Sequence, residues 1–243
     1  MTRYRWGALL WVLCLVTYPA QFIAAARWPE PYLWAANTIS DLGVTSCGTL
    51  DPGTRVERYV CSPAYLLANA GTVANGVLLT AGALLLWSVW PRRRAGQVAM
   101  ALLAVSGFLL VLVGLLPWDV QPEAHGITAL LQAPLQWAGM IVLVFALRGS
   151  GARWTAGLTI ACVVISVAGF VMFIDAVGGG PSAAVGLGLA ERISFDTLTL
   201  WGAAVGLILL SSPFGEAAGN GGRVARLVRR QHPGITPARR RSA

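Results

Sequence analysis

The sequence predicts an all-α fold: a polytopic bundle of six transmembrane helices with both termini in the cytoplasm. Three observations carry that expectation. The 243-residue chain is 56% hydrophobic and only 12% charged, with a mean hydropathy of +0.65, too apolar for a soluble globule of this size. Six apolar runs each reach the ~20 residues that a bilayer crossing takes. The cations, every one an arginine, sit between those runs, where membrane proteins keep their orientation signals.

The six runs cover 6–26, 64–90, 96–116, 126–147, 154–174 and 193–211. An even number of spans puts both termini on one side, and arginine selects the side. Arg3 and Arg5 precede the first run, Arg92, Arg93 and Arg94 follow the second, Arg148 and Arg153 flank the turn after the fourth, and seven more lie between Arg223 and Arg241. Those fourteen of the 18 cations share one side; Arg27, Arg55, Arg58 and Arg192 share the other. The positive-inside rule makes the fourteen-arginine side cytoplasmic. Nine of the ten acidic residues then fall outside, with only Glu216 inside. The protein is thus expected as a multi-pass protein of the cell (cytoplasmic) membrane. Residues 1–212 form its transmembrane domain, and 213–243 form a basic, disordered cytoplasmic tail.

The first run also fits a cleaved signal peptide, with its basic start and the alanines at 24–26. Its length favours a retained span, because cleavage would leave five spans and opposed termini. The tail reads as an orientation signal near anionic lipid rather than a nucleic-acid site, so nucleic acid is not an expected partner. No zinc pattern, phosphate loop or low-complexity tract is visible, and no cofactor or metal is implied.

One connection is long, the extracytoplasmic stretch 27–62, and it contains Cys47 and Cys61. An oxidising exterior permits a disulfide between them; free thiols are the alternative. Cys14 and Cys162 fall in separate runs and read as small core residues. The same stretch holds "NTISDLG" at 37–43, where Asn37, Thr38, Ser40 and Asp41 crowd into five positions beside hydrocarbon. Other polar groups reach that level: Asn69 in the second run, Asp119, Glu123 and His125 in the connection before the fourth, and Glu191, Arg192 and Asp196 at the sixth. Arg192 and Asp196 are four apart and can pair on one helix face. His125, Gln132 and Gln136 share a stripe that should face the bundle. Taken singly, each has a structural explanation, as a helix cap or an anchoring pair. Ionisable groups gathered at membrane segments tend to mark function. Asn37, Ser40, Asp41, Asn69, Asp119, Glu123, His125, Glu191, Arg192 and Asp196 are therefore the candidate ligand-binding residues, with Ser40, Asp41 and His125 the catalytic candidates.

"NTISDLG" at 37–43, "GLLPWDVQPEAHG" at 114–126 and "GLAERI" at 188–193 resemble the domain-of-unknown-function 998 family of bacterial membrane proteins. Its pattern reads roughly N-x-I-S-D-L-G after the first span, G-x-x-P followed by His before the fourth, and E-R near the last. The likeness runs from about Asn37 to Trp201. It implies a six-helix integral membrane bundle and assigns no activity; the loop with Cys47 and Cys61 is a local elaboration. A more distant likeness joins Ser40, Asp41 and His125 to membrane hydrolases built from serine, aspartate and zinc-bound histidines. Catalytic zinc takes about three protein ligands, and the chain has one histidine outside its tail.

Three functions compete on this reading. The first is a protein that binds a lipid head group, an ion or a membrane partner through its outer polar layer; the partner is another membrane protein or a second copy of the chain. The second is an intramembrane hydrolase or transferase acting on an outer-leaflet lipid. The third is a small proton-coupled transporter, disfavoured because six spans show no inverted repeat or broken-helix pair. Whether Ser40 or Asp41 comes within hydrogen-bond reach of His125 separates the first two.

The topology is directly testable. Reporter fusions at residue 95 and at the C-terminus should read cytoplasmic, and a fusion near Asp51 should read external; an external C-terminus would overturn the arrangement.

Overall fold

The computed structural model describes residues 2–211; the tail expected over 213–243 lies outside the described residues. Six helical spans account for nearly all of it. The first, Arg3–Ala26, is two helices in line, α1 (Arg3–Leu13) and α2 (Thr17–Ala26), joined by a 3-10 turn at Cys14–Val16. Pro19 accounts for the break: it has no N–H to give the carbonyl of Leu15, and its ring crowds that turn. The rest are α3 (Tyr65–Leu85), α4 (Arg93–Leu115), α5 (Pro122–Ala146), α6 (Arg153–Val177) and α7 (Leu187–Ser211).

Two boundaries differ from the sequence reading for local reasons. α5 begins at Pro122, four residues before the expected start, because proline is pre-shaped for the first helical turn. α7 begins at Leu187, six residues early. Glu191 and Arg192 therefore belong to its first turns rather than to a preceding loop.

The helices close a ring. α1 lies between α3 and α7, and the order continues α3, α4, α5, α6, α7. α5 meets α6 far less extensively than it meets α4, and barely meets α7. The chain directions bring Arg3, Arg92–Arg94, Arg148 and Arg153 to one end of the bundle. The opposite end carries the connections 27–64, 116–121 and 178–186.

The two halves of the interior differ in chemistry. Toward the arginine end the core is apolar: Trp11 and Trp201 stack at 5.6 Å, above Met100, Leu103, Met140 and Leu143. Both indole N–H groups find acceptors, Leu79 O at 3.2 Å and Thr159 Oγ1 at 3.0 Å. Toward the other end the buried residues turn polar: Gln21, Asn75, Gln132 and Gln136 are all at most 6% exposed. Gln132 and Gln136 bond to each other and to Ser106 on α4.

Small residues let the helices approach, as expected where lipid offers no hydrophobic drive to associate. At Gly76 of α3, an added Cβ would stand 2.6 Å from Gly107 O and Val111 N of α4, both backbone atoms that cannot yield. Gly157 on α6 is exposed, with open space beside it. Gly76→Val should therefore lower the thermal unfolding midpoint of the purified protein. Gly157→Ala should leave it unchanged or raise it, by up to ~1 kcal/mol of helix propensity. Equal melting of the two variants would contradict the α3–α4 contact.

Candidate functional site

The site is built around residues 33–43, a segment without α-helix pressed onto the head of α7. Such backbone is tolerated beside hydrocarbon only when its polar groups find partners, and nearly every polar side chain nearby serves that need. Glycine opens the space. Gly188 lies against Asn37 O and Trp34 O, where a side chain would collide. Gly186 adopts φ +101°, open to glycine at little cost. The N–H of Leu189 then bonds Ala35 O at 3.1 Å.

Arg192 does not pair with Asp196, contrary to the spacing argument. Its guanidinium donates to the carbonyls of Asn37 (2.7 Å), Gly188 (3.0 Å) and Trp34 (3.1 Å) and to the Tyr32 hydroxyl, and it lies over the Tyr32 and Trp34 rings. The loop carbonyls of Trp34 and Asn37 hold the guanidinium in place of a carboxylate one turn along. Burial pushes the Tyr32 phenol above its ordinary value despite the neighbouring cation.

Asp41 does not face His125 either. It is fully buried, and its carboxylate takes a two-pronged bond from Arg58, Nε to Oδ2 at 2.7 Å and Nη2 to Oδ1 at 2.9 Å. It also accepts the Thr38 N–H at 2.8 Å, while Thr38 Oγ1 accepts the Asp41 N–H at 3.0 Å. This is the reciprocal arrangement of a capping box, closing the 3-10 turn Ser40–Gly43. Arg58 comes from a small antiparallel hairpin, β1 (Gly48–Leu50) and β2 (Arg58–Val60). Cys47 and Cys61 flank its strands, their sulfurs 1.99 Å apart in a disulfide. Burial opposes the charge on Arg58, but the bonds and charges of Asp41 and Asp51 outweigh it and raise its pKa. Sequence reasoning missed Arg58 because it is seventeen residues from Asp41, in a loop without periodicity.

Three further candidates hold backbone. Asn37 accepts the Leu33 N–H and donates to Tyr59 O, and Asn69 donates to Gly43 O at 2.9 Å. Asp119 accepts the N–H and hydroxyl groups of Thr45 and Ser46, all between 2.8 and 3.0 Å. Partial burial works against its charge, yet these bonds prevail and lower its pKa. Glu123 is exposed on the first turn of α5 and does not join the cluster. Asp196 sits one helical turn and a residue below Glu191, near Gln21.

What converges is Ser40, His125 and Glu191. Ser40 Oγ lies 3.0 Å from His125 Nε2 and 3.3 Å from Glu191 Oε1, while Glu191 Oε2 accepts the Ile39 N–H. His125 Nδ1 is 2.7 Å from Leu116 O, a carbonyl left free at the end of α4. A carbonyl only accepts, so Nδ1 carries the proton and Nε2 is the acceptor for the Ser40 hydroxyl. Trp118 packs edge-on against the imidazole at 5.6 Å. Among the described residues, no three His, Cys, Asp or Glu side chains gather to hold a metal ion.

The cluster has open space on two sides. A cleft of about 290 Å³ runs between α5 and α6, lined by Ala129, Leu130, Phe173, Ile174 and Val177, with Arg58 and Asp51 also on its wall. Leu130, Ile174 and Val177 are exposed on the bundle flank, so the cleft opens sideways. On the other side, a cavity of about 70 Å³ lies between Ser40 and Asn69, Thr72 and Gln132.

Residues 12–208 match a family model described as "Protein of unknown function (DUF998)". The chain belongs to this family. The match takes in four of the six spans in full and most of the first and the last, and with them the whole Ser40–His125–Glu191 cluster. No curated protein and no solved structure matches the chain. The DUF998 assignment carries no activity, so function rests on the site itself.

The Asp41–Arg58 pair should hold the Ser40 turn in place. Arg58→Ala leaves a buried carboxylate without its cation, which costs about 3 kcal/mol. Arg58→Lys keeps the charge but loses the fork and should fall between. Thermal unfolding of the purified protein measures both; an Arg58→Ala protein as stable as the wild type would show that the pair does not hold the turn.

Proposed function

We propose that this DUF998 protein is a membrane-embedded serine hydrolase or transferase acting on an ester-bearing lipid, with Ser40 as nucleophile and His125 as general base. The observation that carries the reading is the 3.0 Å contact between Ser40 Oγ and His125 Nε2 at the base of a sideways-opening apolar cleft. A serine hydroxyl is a weak nucleophile until a positioned base takes its proton. The Leu116 carbonyl orients His125 and favours the imidazolium that forms, as the third member of such a set does. Glu191 fixes the backbone next to the nucleophile through Ile39. The acyl chain enters along Leu130 and Ile174, leaving the ester beside Ser40. With the arginine-rich end in the cytoplasm, that lipid belongs to the outer leaflet.

Binding without chemistry is the second reading, and Glu191 favours it. A carboxylate 3.3 Å from Ser40 Oγ suits a cationic head group better than a developing oxyanion.

A fluorophosphonate probe separates the two. The purified protein should be labelled stoichiometrically, with the adduct on Ser40 by peptide mapping. Ser40→Ala should abolish labelling, and His125→Ala should slow it by about 10²–10⁴-fold, the usual contribution of a general base. A folded wild-type protein that stays unlabelled, yet retains phosphatidylethanolamine through purification, would move the assignment to binding.

A further inference from the structure

Ser40, His125 and Glu191 line both the apolar cleft and the 70 Å³ cavity on its far side. The cluster is therefore a wall shared by two spaces. The far cavity shares Gln21, Ile39, Thr72, Leu110, Gln132 and Phe195 with a second cavity of about 60 Å³ deeper in the bundle. That deeper space adds Thr17, Asn75, Gln136, Asp196 and Thr199 to the lining. Together they form one well that descends from Ser40 toward the middle of the bundle, its walls mostly apolar but set with amide, hydroxyl and carboxylate groups. It stops above the dry core, where Met100, Leu103 and Met140 are fully buried. Asp196 is nine residues into α7, about 13 Å along its axis.

A water needs about 10–15 Å³ of such space and two to four polar partners. Each cavity has room for a few waters, and amide, hydroxyl and carboxylate groups surround them. The protein network leaves capacity for them: Asn75 Nδ2 donates to Thr199 Oγ1 at 3.1 Å, and Gln136 Nε2 reaches Leu198 O at 3.3 Å. Asp196 is half-buried and bonds Gln21 but no arginine, since Arg192 is turned to the loop carbonyls. A carboxylate accepts more hydrogen bonds than one amide gives, and water supplies the rest.

We propose that the well is a water reservoir that feeds the second half of the reaction, making the protein a hydrolase rather than a transferase. This rests on the Ser40 reading. Lipid enters from the cleft, Ser40 Oγ gives its proton to His125 Nε2 and attacks the ester carbon, the ester C–O bond breaks, and the departing alcohol takes that proton. A water from the well then attacks the acyl carbon from the opposite side of the wall. His125 Nε2 takes the proton of that water, the bond from the acyl carbon to Ser40 Oγ breaks, and the proton passes from His125 to Oγ. The products are free serine and a carboxylic acid, and no oxidant, metal or acceptor alcohol is consumed. Asn75 and Thr72 act as positioning residues for water and do not touch the ester.

Two measurements test this. In X-ray hydroxyl-radical footprinting of the full-length protein in detergent, side chains beside internal water are modified. Cys14, Leu110 and Phe195 line the well, so they should be oxidised while Met100 and Met140 are spared, although methionine is intrinsically more reactive than leucine or phenylalanine. Protection of Cys14 and Phe195 equal to that of Met140 would overturn the well. In burst kinetics with p-nitrophenyl octanoate, Asn75→Leu, which fills the well with an apolar side chain, should keep the burst and lower the steady-state rate at least tenfold. Thr72→Val is the smaller change should Asn75→Leu fail to fold, and it should shift the same ratio in the same direction. A retained burst with wild-type steady-state turnover in both variants would overturn the water-supply role. Absence of any p-nitrophenol release by the wild type would instead remove the Ser40 reading and the hydrolase role with it, leaving footprinting alone to decide whether the well holds water.

Discussion

The architecture at the head of the bundle depends on one constraint: a stretch of backbone without α-helix, residues 33–43, packed against membrane-spanning helices. Helices satisfy their own N–H and C=O groups; this segment does not. Tyr32, Asn37, Asn69 and Arg192 each serve one or more of its backbone groups, as do Asp41 and Glu191. The glycines at 186 and 188 let it lie flat on α7. Most of the charged residues near the membrane surface are thereby accounted for without any ligand. Few side chains of that layer are left without a backbone group to hold.

Once those duties are assigned, Ser40 and His125 stand out. Ser40 Oγ supports no backbone; its neighbours are an imidazole and a carboxylate. The Ser40 turn is fixed from three directions: by Arg58 on the hairpin, by Asn69 on α3 and by Glu191 on α7. A nucleophile needs this kind of rigidity, because the benefit of orientation is lost when the reacting group wanders. The hairpin contributes through Arg58, and the Cys47–Cys61 disulfide closes its base.

The division of the bundle into a dry half and a polar half follows from where the chain can provide hydrogen-bond partners. The Trp11–Trp201 contact and its methionine and leucine neighbours fill the arginine end. Gln132, Gln136 and Ser106 satisfy one another across α4 and α5 in the other half. The weak contact of α5 with α6 and α7 leaves the lateral cleft. The lateral cleft, Ser40 and the two deeper cavities thus adjoin one another.

Much of this was legible in the sequence. Long apolar runs can only satisfy their backbones as helices in lipid, so six spans followed from length and composition. The inward stripe of His125, Gln132 and Gln136 followed from the 3.6-residue period. The crowding of polar residues at 37–43 marked an unusual segment. Helical spacing failed at Arg192 and Asp196, since it shows which groups can meet and not which competing acceptor is nearer. The carbonyls of Trp34 and Asn37 come from more than 150 residues away, and their position exists only after folding. Asp41 and Arg58 meet only because a hairpin reverses the chain. Composition and periodicity act locally, and they determined the membrane fold, its span count and the residues worth suspecting. Which suspects hold backbone and which face open space depends on contacts between distant segments, and the tertiary structure alone decided that.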